Sequence, residues 1–280
     1  MKVARLRPAA ALALLVAACA APPEGVAPAP APPPPALVQG AAAPAALRLL
    51  SREPLGGRRP AALGLTGANK PNGVEYRLRV SVPEETPAAL PRTLDGLQLT
   101  VADPVPEGWL AFYRGPLTPG PRGENARFRA RMLRPDGVVA WDLELNPHLS
   151  RPDRLEVQDV RYADGALYFN EACQSYSREA GGQCSALVRL DPRTGRMAWR
   201  TPPLTSNGIF LLLGPYVVAG YGFTDEPDAL FLVDRATGRI AARHALDSAA
   251  SYMEVAGRRL VVLTQGSVYA FALPATAPRP

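Results

Sequence analysis

Two copies of one turn constrain this chain more than any other feature. Leu187 to Trp199 reads LVRLDPRTGRMAW, and Leu230 to Ala242 reads LFLVDRATGRIAA. Each passes from an apolar run through Asp-x-x-Thr-Gly into a second run, a hairpin in which Asp and Thr side chains bond turn amides and Gly accepts positive φ. Asp191, Thr194 and Gly195 return as Asp234, Thr237 and Gly238, and the two glycines stand 43 residues apart. That period matches one four-stranded propeller blade. A degenerate third copy, LRPDGVVAW at Leu133 to Trp141, keeps Gly137 and Trp141.

From Leu97 onward, strands tile in fours. The first group is 97–101, 109–114, 126–133 and 138–145; the second is 155–162, 166–172, 185–190 and 197–201; the third is 209–213, 216–221, 229–233 and 239–245. A fourth group holds only 252–255, 259–264 and 267–273. Tyr76, Leu78, Val80 and Val82 alternate with polar residues at a period of two, so 76–82 is predicted to be a strand and supplies a candidate to complete the fourth group. The expected fold is all-β, a small β-propeller of four blades, or five if residues 48–95 hold further strands; an open stack completed by another chain fits the same pattern. The expected organisation is a signal peptide over 1–18, a lipidated cysteine and Pro/Ala-rich linker over 19–47, an irregular lead-in over 48–73, the propeller over 74–274 and a disordered tail over 275–280.

The N-terminus carries a different kind of information. Lys2, Arg5 and Arg7 precede an apolar stretch from Ala9 to Ala18 that is too short to span a bilayer, the pattern of an export signal. It ends in Val16-Ala17-Ala18-Cys19, which resembles the lipobox of bacterial lipoproteins, so Cys19 is the expected lipid attachment point and the membrane an expected partner. Ala20 is not the Asp that favours inner-membrane retention, which points to the outer membrane where two membranes exist. Residues 20–47 are rich in Ala and Pro, cannot bury a core, and read as an extended tether. The formal charge of +6 falls to about +3 once the leader's three cations leave, too little and too dispersed for nucleic-acid binding.

With Cys19 assigned to lipid, Cys173 and Cys184 remain, flanking a polar loop on adjacent strands of one hairpin; a disulfide across the loop base is expected in an exported protein. Their spacing is not that of a zinc site, and no metal site is expected. His148 and His244 are the only histidines, each beside a predicted strand end, and are read as solvated or packing groups. Arg127, Arg129 and Arg131 read as a solvent face, and Asp225, Glu226 and Asp228 as a solvated loop. No Gly-x-Ser-x-Gly elbow and no phosphate-cradling Gly-rich loop appears.

Asp191, Thr194, Gly195 and Trp199 fit the Asp-x-x-Thr-Gly-x-x-x-Trp signature, so the chain resembles proteins with PQQ-like β-propeller repeats. In that family the Trp docks against the turn of a neighbouring blade, the role this resemblance implies for Trp199. The copy at Asp234 departs from the signature, with Ala242 in place of Trp. Lipid-anchored propellers of this kind are similar to the BamB-like scaffold lipoproteins of outer-membrane barrel assembly, which implies a non-enzymatic scaffold for other envelope proteins with no cofactor. The alternative is a cell-surface propeller that binds a glycan or small ligand. A quinoprotein-type oxidoreductase is less favoured, because many such enzymes carry adjacent cysteines and Cys173 and Cys184 are not neighbours.

Overall fold

The computed structural model describes residues 47–65, 73–75, 82–115, 126–174, 176–223 and 225–273. These residues form a small β-propeller of four antiparallel sheets. The first sheet contains β3 (Thr93–Leu94), β4 (Leu97–Val105), β5 (Gly108–Arg114), β6 (Phe128–Leu133) and β7 (Val139–Glu144) in that order. The second contains β8 (Leu155–Ala163), β9 (Ala166–Cys173), β10 (Ala186–Leu190) and β11 (Met197–Arg200), and the third β12 (Phe210–Leu213), β13 (Tyr216–Tyr221), β14 (Ala229–Asp234) and β15 (Ile240–Ala245). Side-chain alternation explains β6, where Phe128, Ala130 and Met132 are buried and Arg129 and Arg131 lie on the opposite face. Strand β9 is buried throughout, as a strand covered on both faces must be.

The fourth sheet corrects one expectation. It runs β1 (Arg48–Pro54), β18 (Ser267–Ala272), β17 (Arg259–Leu263), β16 (Tyr252–Ala256) and β2 (Gly73–Glu75). The strand on its outer edge is therefore Arg48–Pro54, inside the stretch read as irregular, and β2 lies along its inner edge. Of the strand expected over 76–82, residues 76–81 lie outside the described residues, and Val82 packs on the first sheet. Strand β1 has no buried residue and a register shift between Leu49 and Ser51, so it carries no apolar period to read.

Apolar clusters join the sheets in chain order. One joins the first to the second through Phe112, Met132, Val157 and Phe169, another the second to the third through Tyr168, Leu187, Val217 and Phe231. A third joins the third to the fourth through Leu211, Leu230, Met253 and Leu260. Among the described residues no such cluster spans the fourth and first sheets. The chain's own N-terminal segments cover those two faces: Leu90 and Leu94 pack on the first sheet, and Leu55, Leu63 and Leu65 on the fourth.

Each junction also carries a polar or aromatic clasp. Between the second and third sheets, the Trp199 indole lies flat against Gly238, so close that a Cβ there would meet three ring carbons at 2.7 to 2.8 Å, and its Nε1 donates to the Arg235 carbonyl at 3.1 Å. Gly238 holds φ at +73°, which together with that approach demands glycine. Arg235 adds hydrogen bonds to the Tyr168 hydroxyl (2.9 Å) and the Gly214 carbonyl (3.0 Å). The equivalent turn of the second sheet, at Gly195, is met by His148 rather than by Trp141: His148 Cε1 is 3.2 Å from where a Cβ would stand. Trp141 packs nearby on Tyr162, at a centroid separation of 5.7 Å.

The third-to-fourth junction, where Ala242 replaces the tryptophan, is held by a carboxylate. Asp247 accepts from Thr264 Oγ1 (2.6 Å), Ser267 Oγ (2.5 Å) and Arg52 (3.0 Å), and its own N–H donates to the Tyr269 hydroxyl at 3.0 Å. Burial alone would raise its pKa, but the hydrogen bonds from Ser267, Thr264 and Arg52 outweigh it and bring the group down to about 2. Because the folded value is depressed, this clasp stabilises the fold above the ordinary carboxylate range and is lost as pH falls toward 2.

Candidate functional site

The loop between β9 and β10 is closed by a Cys173–Cys184 disulfide with the Cα atoms 5.1 Å apart. Both cysteines are buried, and Leu155, Ala180 and Phe223 pack around them. Inside the loop, Ser177–Ala180 forms one 3-10 turn that ends on Gly181 at φ 62°. Closing a loop with a sequence separation of 11 removes unfolded-chain entropy worth ~3 kcal/mol. The double variant Cys173→Ser/Cys184→Ser is accordingly expected to lower the thermal midpoint by roughly 5–10 °C under non-reducing conditions. Differential scanning calorimetry checks this, and an unchanged midpoint contradicts it.

This loop forms one wall of a cleft of about 460 Å³ between the second and third sheets. The other wall is the β13–β14 loop, and Glu226 fastens the two together. Its carboxylate accepts from Ser177 N–H (2.7 Å), from Ser177 Oγ (2.6 Å) and from the Tyr221 hydroxyl. Burial would raise the Glu226 pKa, but these donors outweigh it and lower the group below the usual carboxylate range. Burial, and then the hydrogen bond to Glu226, push Tyr221 up to about 12. Leu204 and Phe231 provide apolar lining, and Arg178 and Arg243 provide positive charge. Leu204 sits at φ 60°, a left-handed conformation uncommon for a bulky side chain, and is held there by its N–H bond to the Cys184 carbonyl at 2.9 Å.

A second polar cluster lies where the inner strands of the first, second and third sheets converge. Between Val157 and Val160 the β8 ladder shifts register, a bulge that one side chain stabilises. Asn170 is fully buried; its Oδ1 accepts from Gln158 N–H (3.2 Å) and Asp159 N–H (2.9 Å), while its Nδ2 donates to the Gly208 carbonyl (2.9 Å). Arg161 then bridges two carboxylates, donating to Asp159 at 3.0 Å and to Asp103 at 3.1 Å. Burial raises both acids; for Asp159 the Arg161 cation offsets part of the effect, the Asp103 charge adds to it, and the group reaches about 6. Arg114 and Glu156 form a further buried pair at 3.2 Å. Among the described residues no group of three His, Cys, Asp or Glu side chains is placed to hold a metal ion.

The sequence-derived residues fall into distinct places. Asp191, Thr194 and Gly195, like Asp234, Thr237 and Gly238, close the β10–β11 and β14–β15 turns: each Thr hydroxyl donates to its Asp, at 2.9 and 2.7 Å, and each Gly N–H to the Asp carbonyl at 2.8 Å. Gly137 stands at φ 82° in the β6–β7 turn. The arginine stripe is an ion-pair ladder, with Arg129 and Arg131 converging on Asp142 and Arg127 reaching Glu144. His244 packs edge-on against Phe271 at 4.9 Å. Cys19 lies outside the described residues. The sequence presents Glu226 as a solvated acid because its partner Ser177 is 49 residues away, and it does not mark Asn170, which only the fold places among strand backbones.

No family model matches the chain, and no curated protein does. Among solved structures, a europium-containing methanol dehydrogenase is 14% identical over 53% of this chain, with a TM-score of 0.31. The chain spans only 27% of that enzyme's length. BamB from Moraxella catarrhalis is 13% identical over 65% of this chain and 68% of its own, with a TM-score of 0.28. No helix among the described residues is long and apolar enough to cross a membrane.

Proposed function

We propose that this protein is an envelope lipoprotein, anchored through Cys19, whose propeller serves as a non-enzymatic docking scaffold for other envelope proteins. The leader and the Val16-Ala17-Ala18-Cys19 motif support the anchor. One observation carries the scaffold: the large exposed aliphatic side chains among the described residues, Leu49, Leu50, Val138, Val139 and Ile240, all lie on or directly beside the outermost strands of three sheets. Outermost strands also present unpaired backbone groups, so apolar contact and strand pairing are offered at the same edges.

Two substitutions separate the parts of this reading. Cys19→Ser is expected to move the protein from the membrane fraction to the soluble or unprocessed fraction, and unchanged fractionation removes the anchor. Leu49→Glu/Leu50→Glu, on a strand with no buried residue, is expected to leave the fold intact while lowering cross-linked recovery of envelope partners roughly tenfold, the effect of ~1.4 kcal/mol. Equal recovery from that variant removes this edge from the scaffold.

A further inference from the structure

We infer that the cleft between the second and third sheets is a binding site for a carboxylate carried on an apolar body, either a small organic acid or the C-terminal end of a peptide. This goes beyond the scaffold reading and does not depend on it. The two arginines of the cleft are set differently from those that build the fold. Arg129, Arg161 and Arg235 are each held by carboxylates, whereas Arg178 and Arg243 have no carboxylate in ion-pair range among the described residues. Each instead lies over an aromatic ring, Arg178 at 4.8 Å from the Tyr176 centroid and Arg243 at 5.8 Å from that of Phe231. A guanidinium packed on a ring rather than paired with an acid keeps its N–H groups for a ligand, and the fork they form matches a carboxylate.

The acids of the cleft do not cancel this preference. Glu226 is committed to the wall, since Ser177 supplies two donors and Tyr221 a third. Asp225 is exposed, as Arg178 and Arg243 are, so water screens its charge and theirs alike. The lining beside the arginines is apolar, with Leu204, Pro227 and Phe231 facing the same space. A volume of about 460 Å³ suits a group the size of one aromatic residue with its backbone. The walls are fixed before any ligand arrives: the disulfide closes one loop, Glu226 joins it to the other, and Leu204 already holds its left-handed conformation. Little ordering is left for the ligand to impose.

The test is titration of the mature chain with N-acetyl-L-phenylalanine and its carboxamide, followed by NMR shifts or calorimetry. The acid is expected to bind saturably, the amide at least tenfold more weakly, and Arg243→Gln to weaken the acid at least tenfold with an unchanged circular dichroism spectrum. A short peptide ending in Phe, with free or amidated C-terminus, distinguishes the sources. Preference for the free peptide over the single residue assigns the site to chain ends, and the reverse order assigns it to small acids. Equal binding of acid and amide, indifference to Arg243→Gln, or no saturable binding of either probe up to roughly 20 mM overturns the site. None of these outcomes bears on whether envelope proteins are recovered by cross-linking.

Discussion

Trp199→Ala is expected to cost about 3–5 kcal/mol, the range for removing a buried aromatic side chain without collapse of the space it leaves. The ring fills the junction of the second and third sheets and is only 8% exposed. It packs on Gly238 and Tyr168, and its Nε1 holds the Arg235 carbonyl. Neither neighbour can fill the vacancy: Gly238 has no side chain, and Tyr168 is fixed by its bond from Arg235. Urea unfolding measures the loss, and a change below about 1 kcal/mol would show that the clasp is incidental. Gly238→Ala tests the same contact from the other side, because its Cβ would displace the indole while straining the turn.

Asn170→Ala is expected to be of similar severity, about 3–5 kcal/mol, for a different reason. No large cavity forms, but two backbone N–H groups and one carbonyl lose the partner that the buried Asn170 supplies, each at about 1–3 kcal/mol and not fully additively. The bulge they stabilise positions Asp159 beside Arg161, so the neighbouring ion cluster loosens with it. Asn170→Asp sharpens the test through its pH dependence. The new carboxylate still accepts from the two amides but places a buried charge beside Asp159, so its folded pKa lies above the unfolded value. Stability then falls as pH rises through that raised value, and the variant's deficit is expected to be smaller at pH 5 than at pH 8, with pH read against the ordinary carboxylate range. A deficit independent of pH, measured by urea unfolding at both values, contradicts the assigned geometry.

The sheets themselves were legible in the sequence because short apolar runs, many of them buried on both faces, are separated by identifiable turns. Strands β12 to β15 illustrate this, bounded by Gly214, the acidic loop and the Asp234–Gly238 turn. The completing strand was not legible because Arg48–Pro54 is exposed along nearly its whole length and so lacks a period. The clasps were half legible: Trp199 fits the repeat signature, while His148 and Asp247 serve equivalent junctions with no shared residue type. The cleft was not legible at all. Its walls belong to different sheets, and Ser177 and Glu226 meet only after both loops have folded. Likewise, the sequence marks a strand over 155–162, but nothing in it shows that a bulge in β8 sets Asp159 into an inner polar cluster.

The scaffold reading is tested most directly by cross-linking in intact cells, purifying the tagged protein and identifying by mass spectrometry what travels with it, with Cys19→Ser as control. The account predicts reproducible recovery of the same envelope proteins from the wild type and their loss from the variant. Recovery of the protein alone, from cells in which it is expressed and membrane-associated, would contradict it.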